Sequence, residues 1–243
     1  KIKSADKKRG GYFIMKKILL ALSFALATAF TCFAANPASD FDYDMAPDGK
    51  GVMLKSYKGK STTVVIPDTI EGLPVTQIGD SNSRDRFFPH TMYTNTQNIP
   101  YTVTVPKSVK VVEDHAFEGL KGKINIDISN LTTIGTMAFY NSDLSGAIKI
   151  SKDTKFTHFG EDVEGGIGAF SKSKITSVVI EEGVTTIGDF FSDCKNLKSV
   201  TLPKSLNTIN GNAFNNCSAL TEVNIPEGTK ISYQANFVFK FCS

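Results

Sequence analysis

Apolar residues recur along most of this chain at a spacing of 22 or 23 positions. Val200 and Val223, Leu202 and Ile225, Pro203 and Pro226, and Leu197 and Leu220 are all 23 apart, as are Phe191 and Phe214, and Cys194 and Cys217. Upstream, the stretches ending in Ala116-Phe117 and Ala138-Phe139 are 22 apart. A degenerate copy ends in Gly168-Ala169-Phe170, and the first begins at Val64-Val65-Ile66-Pro67. These spacings predict about seven coils of one supersecondary unit.

Within a unit the period changes. A short V-x-L stretch such as Val200-Thr201-Leu202 alternates with period two, so it predicts a strand with its apolar side chains turned inward. Pro203 follows it, where a missing N–H does least harm to a ladder. The segment 211–220 then predicts a turn of helix or 3₁₀ on the opposite side, with Phe214 and Leu220 filling the interior and the small Ala213 allowing backbone to approach. One coil cannot bury its own apolar face, so neighbours must stack. The expected architecture is a repeat solenoid: a right-handed coil with a parallel β-sheet on its concave side and short helical or 3₁₀ turns on its convex side. Residues 35–63 predict a β-hairpin cap, with a turn at Pro47-Asp48-Gly49 between two strands and a second turn at Lys58-Gly59. That hairpin would cover the open edge of the first coil. Residues 64–243 form the solenoid, interrupted by insertions at 80–100 and 160–168.

A period of 20–29 residues with the core L-x-x-L-x-L is the leucine-rich-repeat signature. The stretch 66–79 (IPDTIEGLPVTQIG), followed by copies of the form P-x-S-V/L-x-x-I-G-x-x-A-F-x-x-C-x-x-L, resembles the BspA-like leucine-rich-repeat family of bacterial surface proteins. The resemblance covers roughly residues 41–243 and includes the opening segment 41–67. It implies extracellular adhesion or protein binding, with no enzymatic activity in the repeats, and it names no ligand.

Charge sharpens this picture. The chain holds 27 Lys and Arg against 24 Asp and Glu, a net of +3. Residues 1–34 contribute seven of those bases and one acid, so residues 35–243 carry 20 against 23, a net of −3. The excess base sits beside an export signal: Lys16-Lys17, an apolar run from Ile18 to Phe30, then small residues to Ala35. Cleavage is expected after Ala34, making 15–34 the signal peptide and 1–14 a segment ahead of it. A retained membrane anchor is the alternative, but 18 residues carrying Ser23, Thr28 and Thr31 barely span a bilayer. Membrane attachment through a lipid on Cys32 is a second alternative, against which Ala29-Phe30-Thr31 makes a poor lipobox. Export to the periplasm, the cell surface or the medium follows. A nucleic-acid partner, which needs a basic footprint, loses its support.

Candidate chemistry is sparse. His90, His115 and His158 lie far apart with no Cys or His at ligand spacing. Glu161, Asp162 and Glu164 lack the alternation of a Ca²⁺ loop. No nucleophile elbow, phosphate-binding loop or H-E-x-x-H motif occurs. Neither a catalytic group, a metal nor a cofactor is therefore assigned. Cys194 and Cys217 occupy equivalent positions in neighbouring coils, where their Cβ vectors run parallel rather than converging. They are expected to be free, buried and small-hydrophobe-like, while Cys242 is terminal and available for pairing between chains.

Three surfaces are candidates for binding. The residue between the two inward positions of each strand points outward: Val65, Thr104, Asn125 (or Asp127), Lys149, Val179, Thr201 and Asn224. This nearly neutral row suits a protein ligand. The 80–100 insertion adds Arg84, Arg86, Phe87, Phe88 and Tyr93, a composition typical of interface anchors, although one of the two phenylalanines is expected to serve as core. Finally, Phe237, Phe239 and Phe241 end the chain's pattern without a polar cap, which predicts a homo-oligomer built through the last coil. The two functions consistent with this are a protein-binding or adhesive repeat protein and, as the alternative, a self-assembling structural protein.

Overall fold

A computed structural model describes residues 34–80, 86–88, 99–157, 168–231, 238–240 and 242. The expected signal segment lies outside them apart from Ala34, and so do Arg84, Tyr93, His90, His158, Phe237, Phe241 and the acidic loop 161–164. Ala35–Ser243 is one compact unit.

Most coils contribute two strands, the last contributing only Lys230–Ile231, and like strands from successive coils pair in parallel. The longer strands form what we call the face row. Thr63–Val65, Tyr101–Thr104 and Gly122–Asn125 make one three-stranded sheet. Ser145–Ile150, Lys174–Ile180 and Ser199–Thr201 make a second. Val64, Val103, Ile124, Ile148, Val178 and Val200 occupy equivalent inward positions and are all buried. Period-two alternation thus does here what the sequence predicts.

The second row was not expected. Two-residue strands of the type Val111–Val112, Thr133–Ile134 and Lys155–Phe156 pair side by side, and Thr186–Ile187, Thr208–Ile209 and Lys230–Ile231 do the same. Two residues give no readable alternation, so the sequence reads them as part of a turn. The same row carries the N-terminal hairpin. Phe41–Met45 pairs antiparallel with Val52–Tyr57, which pairs in parallel with Leu73–Ile78 and so joins the row. The free edge of the face row is closed differently. Asn36 donates its amide to Val65 O at 2.8 Å and accepts the Val65 N–H on its side-chain oxygen at 2.8 Å. One residue thereby occupies both ladder positions of an absent strand.

The side opposite the face row is made of consecutive tight turns, and this corrects the expected helical or 3₁₀ elements. Among the described residues, 3₁₀ helix occurs only at Ala38–Asp40 and Ile128–Asn130. The reason is a left-handed residue two positions after each core phenylalanine: Gly119, Asn141, Lys172, Asp193 and Asn216, with φ of 72°, 51°, 61°, 60° and 59°. A residue there cannot continue a right-handed helix. The turn instead sends its amides to the next coil. Phe117, Phe139, Phe170, Phe191 and Phe214 donate to the carbonyls of Ala138, Ala169, Phe190, Ala213 and Val238 at 2.8–3.1 Å. The left-handed residues likewise donate to Tyr140, Ser171, Ser192, Asn215 and Lys240. This turn ladder is a third set of inter-coil bonds beside the two strand rows.

The rings of the same phenylalanines stack. Phe117–Phe139, Phe139–Phe170, Phe170–Phe191, Phe191–Phe214 and Phe214–Phe239 have centroid separations of 5.4, 5.5, 5.5, 5.6 and 5.6 Å, with planes within 12° of parallel. Phe239 continues the stack from Phe214 and is half-buried. Upstream, Phe87 and Phe88 join the stack's first member, Phe117, at 6.2 Å each.

Beside the rings run the thiols. Cys194 and Cys217 are free and fully buried, and Cys242 is free and half-buried. The three thiols donate to the carbonyls of Phe170, Phe191 and Phe214 at 3.1, 3.1 and 3.4 Å. Each cysteine thus satisfies a turn carbonyl of the preceding coil. Burial pushes the Cys194 thiol up to about 12 and the Cys217 thiol up as well.

Phe191 stacks between Phe170 and Phe214 and is fully buried, whereas Phe239 is half-buried. Phe191→Ala should therefore lower unfolding stability by about 3–5 kcal/mol, the usual range for a buried Phe. Phe239→Ala should cost clearly less. Urea denaturation of both variants checks the order, and equal losses would contradict it.

Candidate functional site

The face row turns two side chains per coil outward. Of the expected residues, Thr104, Lys149, Val179, Thr201 and Asn224 are exposed, and Val65 and Asn125 are half-buried. Asn125 occupies the strand position in register with Thr104, and its amide donates to the Thr104 hydroxyl at 3.3 Å. Asp127 lies beyond that strand and accepts from Ser129 instead. This resolves the register of that copy in favour of Asn125. Asn224 lies beyond the last strand of the row.

A parallel row of outward residues was missed. Thr63, Thr102, Lys123, Ala147, Ser177 and Ser199 precede the inward residue of each strand, just as the expected row follows it. Period two alone would have found them, because the positions on both sides of an inward residue share one face. The combined surface is small, β-branched and nearly neutral.

The face is interrupted between Gly122–Asn125 and Ser145–Ile150, where the two three-stranded sheets do not pair. There the chain leaves the strand through Ile126 and turns at Asp127 into the short 3₁₀ helix. The interruption leaves a shallow hollow of about 500 Å³ bordered by Ile126, Asp127, Ala147, Lys149 and Val179. Val179, 42% exposed, is the most exposed large apolar residue on these strands. Lys149 forms an ion pair with Glu181. The Lys149 ammonium beside Glu181, helped by the Lys152 amide at 3.1 Å, lowers that carboxyl to about 2. The lysine's charge is thereby matched at the rim of the hollow.

The insertion residues within the described chain do not form a binding loop. Phe87 and Phe88 are 0% and 2% exposed, so both serve as core rather than one. Arg86 is an interior partner too: its guanidinium pairs with Glu118, whose second oxygen lies 2.6 Å from His115 Nδ1. The sequence marks neither His115 nor Glu118 as a member of an interior charge set. Their spacing of three residues was visible, but nothing local showed that an arginine from the insertion would close the set. Among the described residues no group of three His, Cys, Asp or Glu side chains is placed to hold a metal ion.

Comparison with known proteins agrees with this architecture. The model of the BspA type leucine rich repeat region matches residues 87–163 and 166–243 in six copies. The chain belongs to that family. Among solved structures, a leucine-rich-repeat protein of T. pallidum, TpLRR, is similar at 24% identity and a TM-score of 0.50 over 78% of this chain and 92% of that one. A leucine-rich cell surface protein of Faecalibacterium prausnitzii is similar at 21% identity and a TM-score of 0.46, over 86% of this chain and 53% of that one. No curated protein sequence matches the chain.

Two measurements check the site's electrostatics. The folded carboxyl of Glu181 lies below its ordinary value of 4.5, so its contribution to stability is fully present above that pH and fades as pH falls toward 2. Carboxyl NMR should show Glu181 titrating near pH 2 and returning toward 4.5 in Lys149→Ala. Arg86→Ala should cost about 3 kcal/mol, because it leaves the buried Glu118 carboxylate without its cation. Adding Glu118→Gln should restore part of that loss in denaturant titrations.

Proposed function

We propose that this protein is exported through residues 15–34 and binds another protein across its face row, centred on the hollow between Lys149 and Val179. The observation that carries the reading is the exposed, nearly neutral two-row surface with Val179 at its centre. It is held rigid by three inter-coil ladders, so little conformational entropy is lost when a partner docks. Membership of a family of bacterial surface repeat proteins supports a role in adhesion to host or envelope proteins. A neutral surface with small side chains favours a protein over a nucleic acid. The reading assigns no catalysis. The residues it relies on are outward strand positions, which contribute shape and hydrogen bonding rather than reactive groups.

A binding panel of extracellular-matrix and envelope proteins tests it. At least one member should bind the wild-type protein, and Val179→Asp with Thr201→Asp should weaken that complex by roughly a hundredfold, as loss of a central anchor does. Unchanged affinity in the double variant would remove the face row from the interface. Fractionation of expressing cells checks the export step, and labelling with a radioactive fatty acid would reveal attachment at Cys32.

A further inference from the structure

Lysines collect along the line where each turn runs into the next face-row strand. Lys121 and Lys174, from coils two apart, flank one carboxylate: Asp143 Oδ1 is 3.9 Å from Lys121 Nζ and 2.9 Å from Lys174 Nζ. Lys172, Lys174 and Lys195 line one hollow of about 270 Å³, together with Ser173, Asp193 and Asn196. Lys198, which is exposed, immediately precedes Ser199–Thr201, the strand paired with that of Lys174. Five lysines therefore face two acids, and both acids have structural partners. Asp143 accepts the Gly122 amide at 3.1 Å, and Asp193 accepts the Asn216 side-chain amide at 2.5 Å. Successive coils lie about 4.8 Å apart, so the ridge extends for about 15 Å along the solenoid.

This ridge is a local excess of positive charge on a unit whose net charge is −3. We propose that it binds an anionic polysaccharide carrying sulfate or phosphate groups along its length. A repeating polyanion fits better than a single ion, because the lysines are strung out at the coil spacing instead of converging on one point. A glycan fits better than a nucleic acid, because no aromatic side chain lines the hollow between the lysines to stack a base. The Lys172 ammonium, beside that hollow, donates to the Tyr140 hydroxyl at 2.8 Å. The exposed Asn196 supplies donors and an acceptor for sugar hydroxyls. The ridge lies at the strand starts rather than around the Lys149–Val179 hollow, so it is independent of the protein-binding reading and stands or falls separately.

The test uses the compact unit Ala35–Ser243, which omits the basic leader. Titration calorimetry would measure binding of heparin, of phosphorylated dextran, of neutral dextran and of duplex DNA, each at low and high salt. The proposal expects salt-sensitive binding of one or both anionic glycopolymers and none of dextran. Binding of heparin alone would identify sulfate as the recognised group, and binding of phosphorylated dextran alone would identify phosphate. The triple variant Lys172→Asn, Lys174→Gln, Lys195→Gln should lose roughly tenfold in affinity or more and show a shallower salt slope. Asparagine is chosen at 172 because it accepts the left-handed backbone there. The control triple Lys107→Gln, Lys204→Gln, Lys230→Gln removes equal charge from exposed positions elsewhere and should keep affinity within about threefold. Thermal melts establish that both triples are folded. If either triple is unfolded, single Lys174→Gln and Lys195→Gln variants carry the comparison, against single Lys107→Gln and Lys204→Gln controls. No binding to either glycopolymer, equal losses in ridge and control variants, or DNA binding as tight as the glycans would overturn the proposal.

Discussion

Each coil of this protein leaves its backbone polar groups to be satisfied by the next coil, and the rest of the structure follows from that dependence. Buried amides and carbonyls must find partners. The turns, with a left-handed residue after each core phenylalanine, do not close helices that would bond within themselves, so their partners are supplied at one coil spacing. The strand rows satisfy two sides in this way, and the turn ladder satisfies the third. Only the register that aligns all three ladders at once also aligns the phenylalanine rings. Ring stacking and backbone pairing thus select the same arrangement.

The dependence explains where irregularity is tolerated. Left-handed residues in the turns cost about 1–2 kcal/mol each for anything but glycine, and Asn141, Asp193 and Asn216 are types that bear it best. Their reward is an amide aimed along the solenoid axis at the next carbonyl. The cysteines follow the same logic from the other direction. Their thiols occupy turn carbonyls of the preceding coil, so burial and hydrogen bonding account for their position without a disulfide. At the N-terminal end, where no preceding coil exists, the hairpin serves one row and Asn36 serves the other.

Function draws on what the ladders leave free. Inward positions are committed to the core and turn amides to the next coil, so variety is confined to outward side chains and to interruptions of the rows. The hollow at Val179 arises because one pairing in the face row is missing, and the lysine ridge occupies the connection between turn and strand. The lysines of the ridge recur at the coil spacing and suit an extended partner more than a compact one.

Sequence by itself determined the repeat, the inward residues of the face row, the hairpin and the family. Each depends on a periodicity or motif that stacking preserves from copy to copy. It also placed Cys194 and Cys217 as free interior residues, through their equivalent positions. Tertiary structure alone decided the rest. The two-residue strands are too short to show alternation, and the turns lose helical character only because of a left-handed residue whose identity varies from Gly to Lys. Phe87, Phe88 and Arg86 looked like a binding loop because insertions carry no period to mark which side chains face in. Their burial against Phe117 and Glu118 is a contact between distant segments, and a linear pattern holds no record of such contacts. The lysine ridge has the same origin: Lys121 and Lys174 are 53 positions apart in the chain, and only stacking brings them to one carboxylate.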